Sequence, residues 1–218
     1  MRTSKKRDVR LNEILDAAEL LFIGKGYEQT TINDILAKVG IGKGTFYHYF
    51  KSKEEVMDAV IERMVESLKA AAKAIADDTK LNAQQKVVQI ILSLNVSESS
   101  NGKMIEELHQ PSNAQMHQKS IVETILAVSP ILTDVVRQGI NEGLYRTPYP
   151  RESIEFLIAA NQFIFDNGIF HWTPEEILEK GKAFAHIIEL VLGAAEGSFD
   201  FILTLLSGPS EERIHDEK

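Results

Sequence analysis

Hydrophobic residues recur along most of the chain at the three-to-four-residue spacing of an α-helix. In the first such segment Leu11, Ile14, Ala18 and Phe22 share one side. Similar stripes predict further helices at 32–39, 43–50, about 53–76, 83–96, 103–110, 114–128, 130–142, 152–168 and 174–195. No segment shows strand alternation between hairpin turns. The pattern therefore predicts an all-α fold.

Capping signals mark several of these helices. Thr31 and Ser52 each precede a stripe and have a carboxylate three residues later, which is the pattern of a capping box. Thr173 begins an even fuller signal, with proline next and glutamate two residues further on. Gly40 is suited to end the second helix. Because proline favours the first turn of a helix, we expect Pro130 to start a new one.

The stretch GIGKGTFYHYF at residues 40–50 has two possible interpretations. A phosphate-binding loop needs a hydroxyl residue directly after its lysine and a strand before its first glycine. Here Lys43 is followed by Gly44, and the preceding segment has helical spacing. A dinucleotide-binding fingerprint is excluded as well, because its third glycine would come one residue too early and no βαβ pattern surrounds it.

A helix-turn-helix explains the same residues better. Gly40 can take the positive φ of a tight turn, and Gly42 can cap the following helix. Phe46 and Phe50, four residues apart, would face the core. The opposite side then carries groups that can contact phosphates and bases: Lys43, Thr45, Tyr47 and His48.

The charge is unevenly distributed. Residues 1–53 carry ten Lys or Arg and six Asp or Glu, whereas the rest of the chain has a balance of −12 within a total of −8. A basic first quarter is compatible with a polyanionic partner for that part alone. The chain contains no cysteine, which excludes disulfides and thiol sites. The apolar segments are too short or too interrupted to span a bilayer, so we expect a cytoplasmic protein without a membrane partner.

At this point the sequence resembles a known family. The stretch TTINDILAKVGIGKGTFYHYFKSKEEV at 30–56, with ILDAAELLFIGKGYEQT before it, is similar to the DNA-binding signature of the tetracycline-repressor (TetR) family. The resemblance covers about residues 8–60. Val39 and Gly42 depart from it, because alanine and serine are commoner at those places.

The resemblance implies a homodimer with a helix-turn-helix domain at 1–53 and a helical effector-binding and dimerisation domain at 54–218. It implies binding to a double-stranded operator, and release by a small-molecule effector. Carried over by position, it assigns DNA contact to Thr31, Gly42, Lys43, Gly44, Thr45, Tyr47, His48 and Lys53. Among these, Thr31, Tyr47 and Lys53 would contact phosphate, while Lys43 and Thr45 are the candidates for base edges.

Two predicted helices support a dimer independently of the resemblance. The helix at about 152–168 has Ile154 and Leu157 on one side and Phe156 and Phe163 on another. The helix at 174–195 is also broadly apolar. A helix that is apolar on two sides needs two partners. We therefore expect these two helices to form the interface, with burial inside one chain as the alternative.

The effector site is less well marked. Polar or aromatic residues in apolar helical stretches are its candidates, namely Asn95, His109, His117, Asn161, Gln162 and Phe165. For any one of them, a satisfied core residue or a surface residue is the more common explanation. His109 and His117 are spaced too far apart to favour a metal site, and we predict no metal and no cofactor.

The sequence thus favours a ligand-responsive repressor. The alternative is a DNA-binding regulator whose helical body recruits a protein instead of a small molecule. An enzyme is disfavoured, because neither a nucleophile motif nor a metalloprotease motif occurs. Effector, operator and a DNA role for the basic tail RTSKKR stay open.

Two substitutions test the division of DNA contacts. Replacing Lys53 with alanine should weaken binding to all sequences and lower the salt slope by about one, since one phosphate contact is lost. Replacing Thr45 with alanine should instead change the preference at particular base pairs. Binding isotherms on specific and random DNA at several salt concentrations measure both effects. Equal losses on both DNAs for both variants would contradict the assignment.

Overall fold

The structure is a computed structural model that describes residues 2–100, 110–166 and 168–206. The elements within these ranges are helical, which confirms the all-α prediction. In chain order they are α1 (Arg2–Lys25), α2 (Ile32–Val39), α3 (Lys43–Tyr49), α4 (Lys53–Ala76), α5 (Ala83–Ser100), a 3-10 turn (Pro111–Asn113), α6 (Ala114–Asn141), α7 (Pro150–Ile164), α8 (Pro174–Leu192) and α9 (Phe201–Leu206).

Local capping residues set several helix ends as predicted. At the start of α2, the Thr31 hydroxyl accepts a hydrogen bond from the Asp34 N–H, and the Asp34 carboxylate accepts one from the Thr31 N–H. Thr173 and Glu176 form the same capping box before α8. Gly40 and Gly193 end α2 and α8 with φ of 73° and 64°, which a residue with a Cβ would rarely adopt.

Pro130 does not start a helix, so that prediction was wrong. It lies inside α6, which is continuous from Ala114 to Asn141. A proline inside a helix removes one backbone hydrogen bond and crowds the preceding turn. Here the residues around it, among them Val128, Leu132 and Val136, are buried in the core. Their burial stabilises the helix through the proline.

Other predicted limits shift slightly. α7 ends at Ile164 rather than near 168, and α8 ends at Leu192 rather than near 195. The short helix predicted at 103–110 falls, except for Gln110, outside the described residues.

Contacts divide the chain into two compact units. The first contains Met1–Ala70 and Glu98–Ala127. Its core is built from α1 to α4 and the start of α6, and it includes fully buried Phe22, Phe46, Met57 and Met116. This core fixes the short helices α2 and α3.

The second unit contains Ala71–Ser97 and Val128–Lys218. Its core combines residues of α5, the second half of α6, α7, α8 and α9, and includes fully buried Ile90, Val136, Leu192 and Phe199. The grouping by contacts does not test the functional boundary predicted at residue 53, which stays a prediction. In the described part of the chain, no helix is both long and apolar enough to cross a bilayer.

Candidate functional site

Helix α3 is anchored by one side and open on the other. Phe46 is fully buried and Phe50 is 7% exposed, with their ring centroids 6.1 Å apart. The open side, which we call the α3 face, consists of residues that are all exposed: Lys43, Gly44, Thr45, Tyr47 and His48, with Gly42 at its start. The structure therefore brings six of the eight predicted DNA-binding residues together on one surface.

Two glycines of the α3 face have no structural need to be glycine. Gly42 has a φ of −81°, and neither it nor Gly44 has a positive φ. A Cβ added at either position would meet no atom within 4 Å. Inside a helix glycine is less stable than alanine, which applies to Gly44, whereas Gly42 is the N-cap, a position where glycine is preferred to alanine. The presence of glycine at position 44 is thus compatible with the close approach of an external partner to the backbone.

Thr31 lies at the exposed start of α2, but its hydroxyl is already engaged. It donates to Asp34 Oδ2 at 2.7 Å while it accepts from the Asp34 N–H. Lys25 Nζ also contacts this carboxylate at 2.7 Å. The hydrogen bond from Lys25, followed by those from Thr31, holds the pKa of Asp34 well below its usual range. A phosphate at Thr31 would therefore lie beside a carboxylate that is balanced by Lys25.

Lys53 is only half-exposed, and its ammonium has partners inside the first unit. Nζ donates to the Tyr27 carbonyl at 2.7 Å and to the Glu28 carbonyl at 3.3 Å. It also lies 4.2 Å from the centroid of the Tyr27 ring. Burial lowers the pKa of Lys53, and the nearby charge of Glu28 opposes this. The predicted phosphate contact would have to share this ammonium with the turn between α1 and α2.

Lys51 is a further candidate that the sequence analysis did not name. Its side chain is exposed in the turn between α3 and α4, and its backbone N–H donates to Glu55 Oε2 at 2.6 Å. A cation directly after a helix that is predicted to read DNA is a suitable phosphate contact. The sequence could have indicated this contact, because Lys51 is a basic residue between Phe50, which ends α3, and the capping residue Ser52.

The predicted effector residues are distributed over both units. His109 lies outside the described residues, as does the side chain of Asn95. His117 is half-buried in the first unit. In the second unit Asn161 is exposed, Gln162 is half-buried, and half-buried Phe165 packs against Phe184 with 5.7 Å between ring centroids. The predicted pocket therefore stays a prediction.

Two buried hydroxyls in the second unit were missed by the sequence analysis. Ser129 and Thr133 are each 2% exposed and lie one turn apart on α6. Within the described chain, neither hydroxyl has a hydrogen-bond partner. Other helical hydroxyls here behave differently: those of Ser93 and Thr204 donate to the carbonyl three residues before. An unpaired buried hydroxyl costs about 1–3 kcal/mol, so this pair is suited to a polar group brought by a ligand.

The second unit also presents an apolar surface on α7 and α8. Phe156 is 75% exposed and Leu190 is 67% exposed, while Ile154 and Ile188 on the opposite sides of these helices are buried. Between the helices lies an open groove of about 650 Å³. Its lining is mostly apolar: Tyr149, Glu152, Ser153, Phe156, Leu157, Ala160, Ile164, Phe165, Lys180, Ala183, Phe184, Ile187 and Val191. We call this surface the α7–α8 face.

Comparison with known proteins links both units to one family. Residues 14–60 match the model described as bacterial regulatory proteins, tetR family. Residues 96–187 match the model described as tetracyclin repressor-like, C-terminal domain. The two matches together cover more than half of the chain.

Individual relatives are regulators as well. The chain is 28% identical over 139 residues to the HTH-type transcriptional repressor KstR2 of Mycobacterium tuberculosis, covering 63% of this chain and 70% of that protein. It is 28% identical over 150 residues to the fatty acid metabolism regulator protein of Bacillus subtilis, covering 64% and 72%. A TetR-family regulator structure from Syntrophomonas wolfei superimposes with a TM-score of 0.61 at 20% identity, covering 95% of this chain and all of that one, which shows the same fold.

Gly44 gives a direct test of the α3 face. Gly44→Ala should stabilise the protein by up to about 1 kcal/mol, because alanine favours the helix. It should weaken binding to selected DNA by roughly tenfold, since the added methyl group blocks the approach of the backbone. Gly24→Ala is the matched control: it is also free of contacts within 4 Å, and it should not change DNA binding. Thermal unfolding and fluorescence anisotropy measure the two effects; unchanged DNA affinity for Gly44→Ala would contradict this use of the α3 face.

Thr133 and Thr147 form a matched pair of buried threonines in the second unit. The Thr147 hydroxyl shares a hydrogen bond with Ser153 Oγ at 3.0 Å, whereas the Thr133 hydroxyl is unpaired in the described chain. Thr133→Val should therefore raise the free energy of unfolding by about 1 kcal/mol, and Thr147→Val should lower it by a similar amount. Urea titration measures both changes. A loss of stability in Thr133→Val would show that its hydroxyl has a partner in the free protein.

Proposed function

The chain belongs to the tetracycline-repressor (TetR) family of bacterial transcriptional regulators, and we propose that it is a homodimeric repressor released from its operator by a small molecule. The operator is pseudo-palindromic, because a two-fold symmetric dimer presents the same reading helix to each half-site. It acts in the cytoplasm, where the operators are. Its function is recognition, without catalysis.

The α3 face is the observation that carries this proposal. A cation, a hydroxyl, a phenol and an imidazole stand exposed on one side of a helix whose other side is fixed in a core. In this assignment Lys43 and Thr45 contact base edges, Tyr47 and Lys51 contact phosphates, and His48 serves either purpose. Gly42 and Gly44 let the start of the helix approach a phosphate. Thr31 and Lys53 add phosphate contacts from the starts of α2 and α4.

The α7–α8 face supports the homodimer. Large aromatic and aliphatic side chains are exposed together on two adjacent helices, and contiguous apolar surfaces of this kind mark interaction sites. A second copy of the same face would cover them isologously. The face carries few charges, which is typical of the centre of a stable interface.

The effector is proposed to bind in the second unit, with the hydroxyls of Ser129 and Thr133 as anchors for its polar group. These buried groups lie on α6 between Val128, Leu132 and Val136, which belong to the apolar core, so a suitable ligand is an apolar molecule with one small polar head. The Bacillus subtilis relative is named for the regulation of fatty acid metabolism. Fatty acids, which are apolar with one small polar head, are therefore the first compounds to test.

Selection of genomic fragments by the purified protein, with and without such compounds, tests the function. A palindromic consensus that one compound releases is the expected result. Fragments without a shared sequence would contradict operator recognition by the α3 face. A consensus that no small molecule affects would instead favour a regulator that responds to a protein partner.

Phe156 tests the proposed dimer interface. Phe156→Asp would bury an unpaired charge on each side of the interface, which costs about 3 kcal/mol or more. The dimer dissociation constant should therefore rise by at least about a hundredfold. Leu20→Asp is the control, because Leu20 is a 62% exposed apolar residue on α1 outside the proposed interface. Sedimentation equilibrium measures the constant; an unchanged dimer in Phe156→Asp would exclude this face.

A further inference from the structure

The turn between α1 and α2 is held by a segment far away in sequence. The buried N–H of Tyr27 donates to Asn113 Oδ1 at 2.6 Å, across 86 residues. The next N–H, that of Glu28, donates to the Ser112 carbonyl at 3.1 Å. Asn113 is 1% exposed. Two consecutive backbone donors of the turn thus depend on the 3-10 turn that precedes α6.

The contact is closely fitted. Gly26 has a φ of 91°, and a Cβ built on it would lie 2.6 Å from Ser112 Oγ. The absence of a side chain at Gly26 is therefore what lets the two turns approach each other. On the other segment, the Asn113 N–H donates to the Gln110 carbonyl at 2.8 Å, which fixes the residue that supplies the acceptor.

The same turn is held from another side by Lys53, the first residue of α4. Its ammonium donates to the carbonyl of Tyr27, the residue whose N–H is bound by Asn113. Both backbone polar groups of Tyr27 are thus hydrogen-bonded. One partner, Asn113, lies outside the predicted helix-turn-helix domain at 1–53, and the other, Lys53, is its last residue. The Thr30 hydroxyl closes the turn internally by donating to the Gly26 carbonyl at 2.8 Å.

We propose that Asn113 is a positioning residue that fixes the orientation of the reading helices α2 and α3 and thereby limits the half-site spacing that the dimer accepts. This role of Asn113 rests on the proposed function, operator binding by a homodimer. One inserted base pair moves a half-site by about 3.4 Å and rotates it by about 35° around the DNA axis. If the turn between α1 and α2 is held firmly, the helices α2 and α3 cannot follow a half-site that is displaced in this way. If the turn is loosened, they can.

A spacing assay with the full chain tests the proposal. The probes are the selected consensus operator and two derivatives with one central base pair added or removed. For the wild type, we expect the altered spacing to reduce affinity by about tenfold or more, comparable to a mismatched base pair. The quantity compared is the ratio of the dissociation constant for the altered operator to that for the consensus operator. Asn113→Ala should lower this ratio to about threefold or less, with the preferred half-site sequence unchanged. The ratio does not depend on the fraction of active protein or on a uniform loss of affinity.

Ser112→Ala is the matched control, because it keeps the carbonyl that binds Glu28 and leaves the Asn113 amide in place; its ratio should equal that of the wild type. If Asn113→Ala does not fold, Lys53→Met, which releases the other side of the turn, should narrow the ratio in its place. An unchanged ratio in a folded variant would overturn the positioning role and leave only a stabilising one. A wild-type protein that selects no paired half-sites would contradict the proposed function itself.

Discussion

Burial of Phe46 is the constraint on which the α3 face, the proposed DNA-reading surface, depends. Helix α3 has seven residues, and its N-cap Gly42 makes no side-chain hydrogen bond. Helices shorter than about 12 residues are marginal in isolation, so α3 exists because its aromatic side is packed into the first unit. Packing one side also determines which side chains face outward. The side chains of Lys43, Thr45 and Tyr47 therefore face outward because of a core to which none of them belongs.

A core of this kind fixes the inner side of the short helices, and hydrogen bonds to Tyr27 hold the turn that leads into α2. The two backbone polar groups of Tyr27 receive one partner from α4 and one from the segment before α6. Both partners form hydrogen bonds, whose strength depends on distance and angle. The turn between α1 and α2, the start of α4 and the 3-10 turn before α6 thus meet at Tyr27.

Local signals made most of the fold predictable. The capping pair Thr31 and Asp34, the turn residue Gly40 and the spacing of Phe46 and Phe50 act within a few residues, and the structure confirms them. Pro130 was misinterpreted because burial of the surrounding α6 residues outweighed its local preference. The positions of Lys53 and Asn113 had no local signal, since their partners lie 26 and 86 residues away. Helical periodicity also cannot show which buried side faces a ligand, so the hydroxyls of Ser129 and Thr133 were missed.

Three features that the stability of the free protein does not explain lie where recognition is proposed. Glycine at position 44 weakens a helix that has room for a side chain, and Phe156 exposes a large ring to solvent. Thr133 buries a hydroxyl without a partner in the described chain. The glycine and the unpaired hydroxyl cost stability in the free protein, whereas the exposed ring favours association. Each feature is explained by a different proposed partner, namely DNA for Gly44, a ligand for Thr133 and a second copy for Phe156. Since these three features correspond to the three proposed partners of one regulator, a single function accounts for them more simply than three independent accidents of packing.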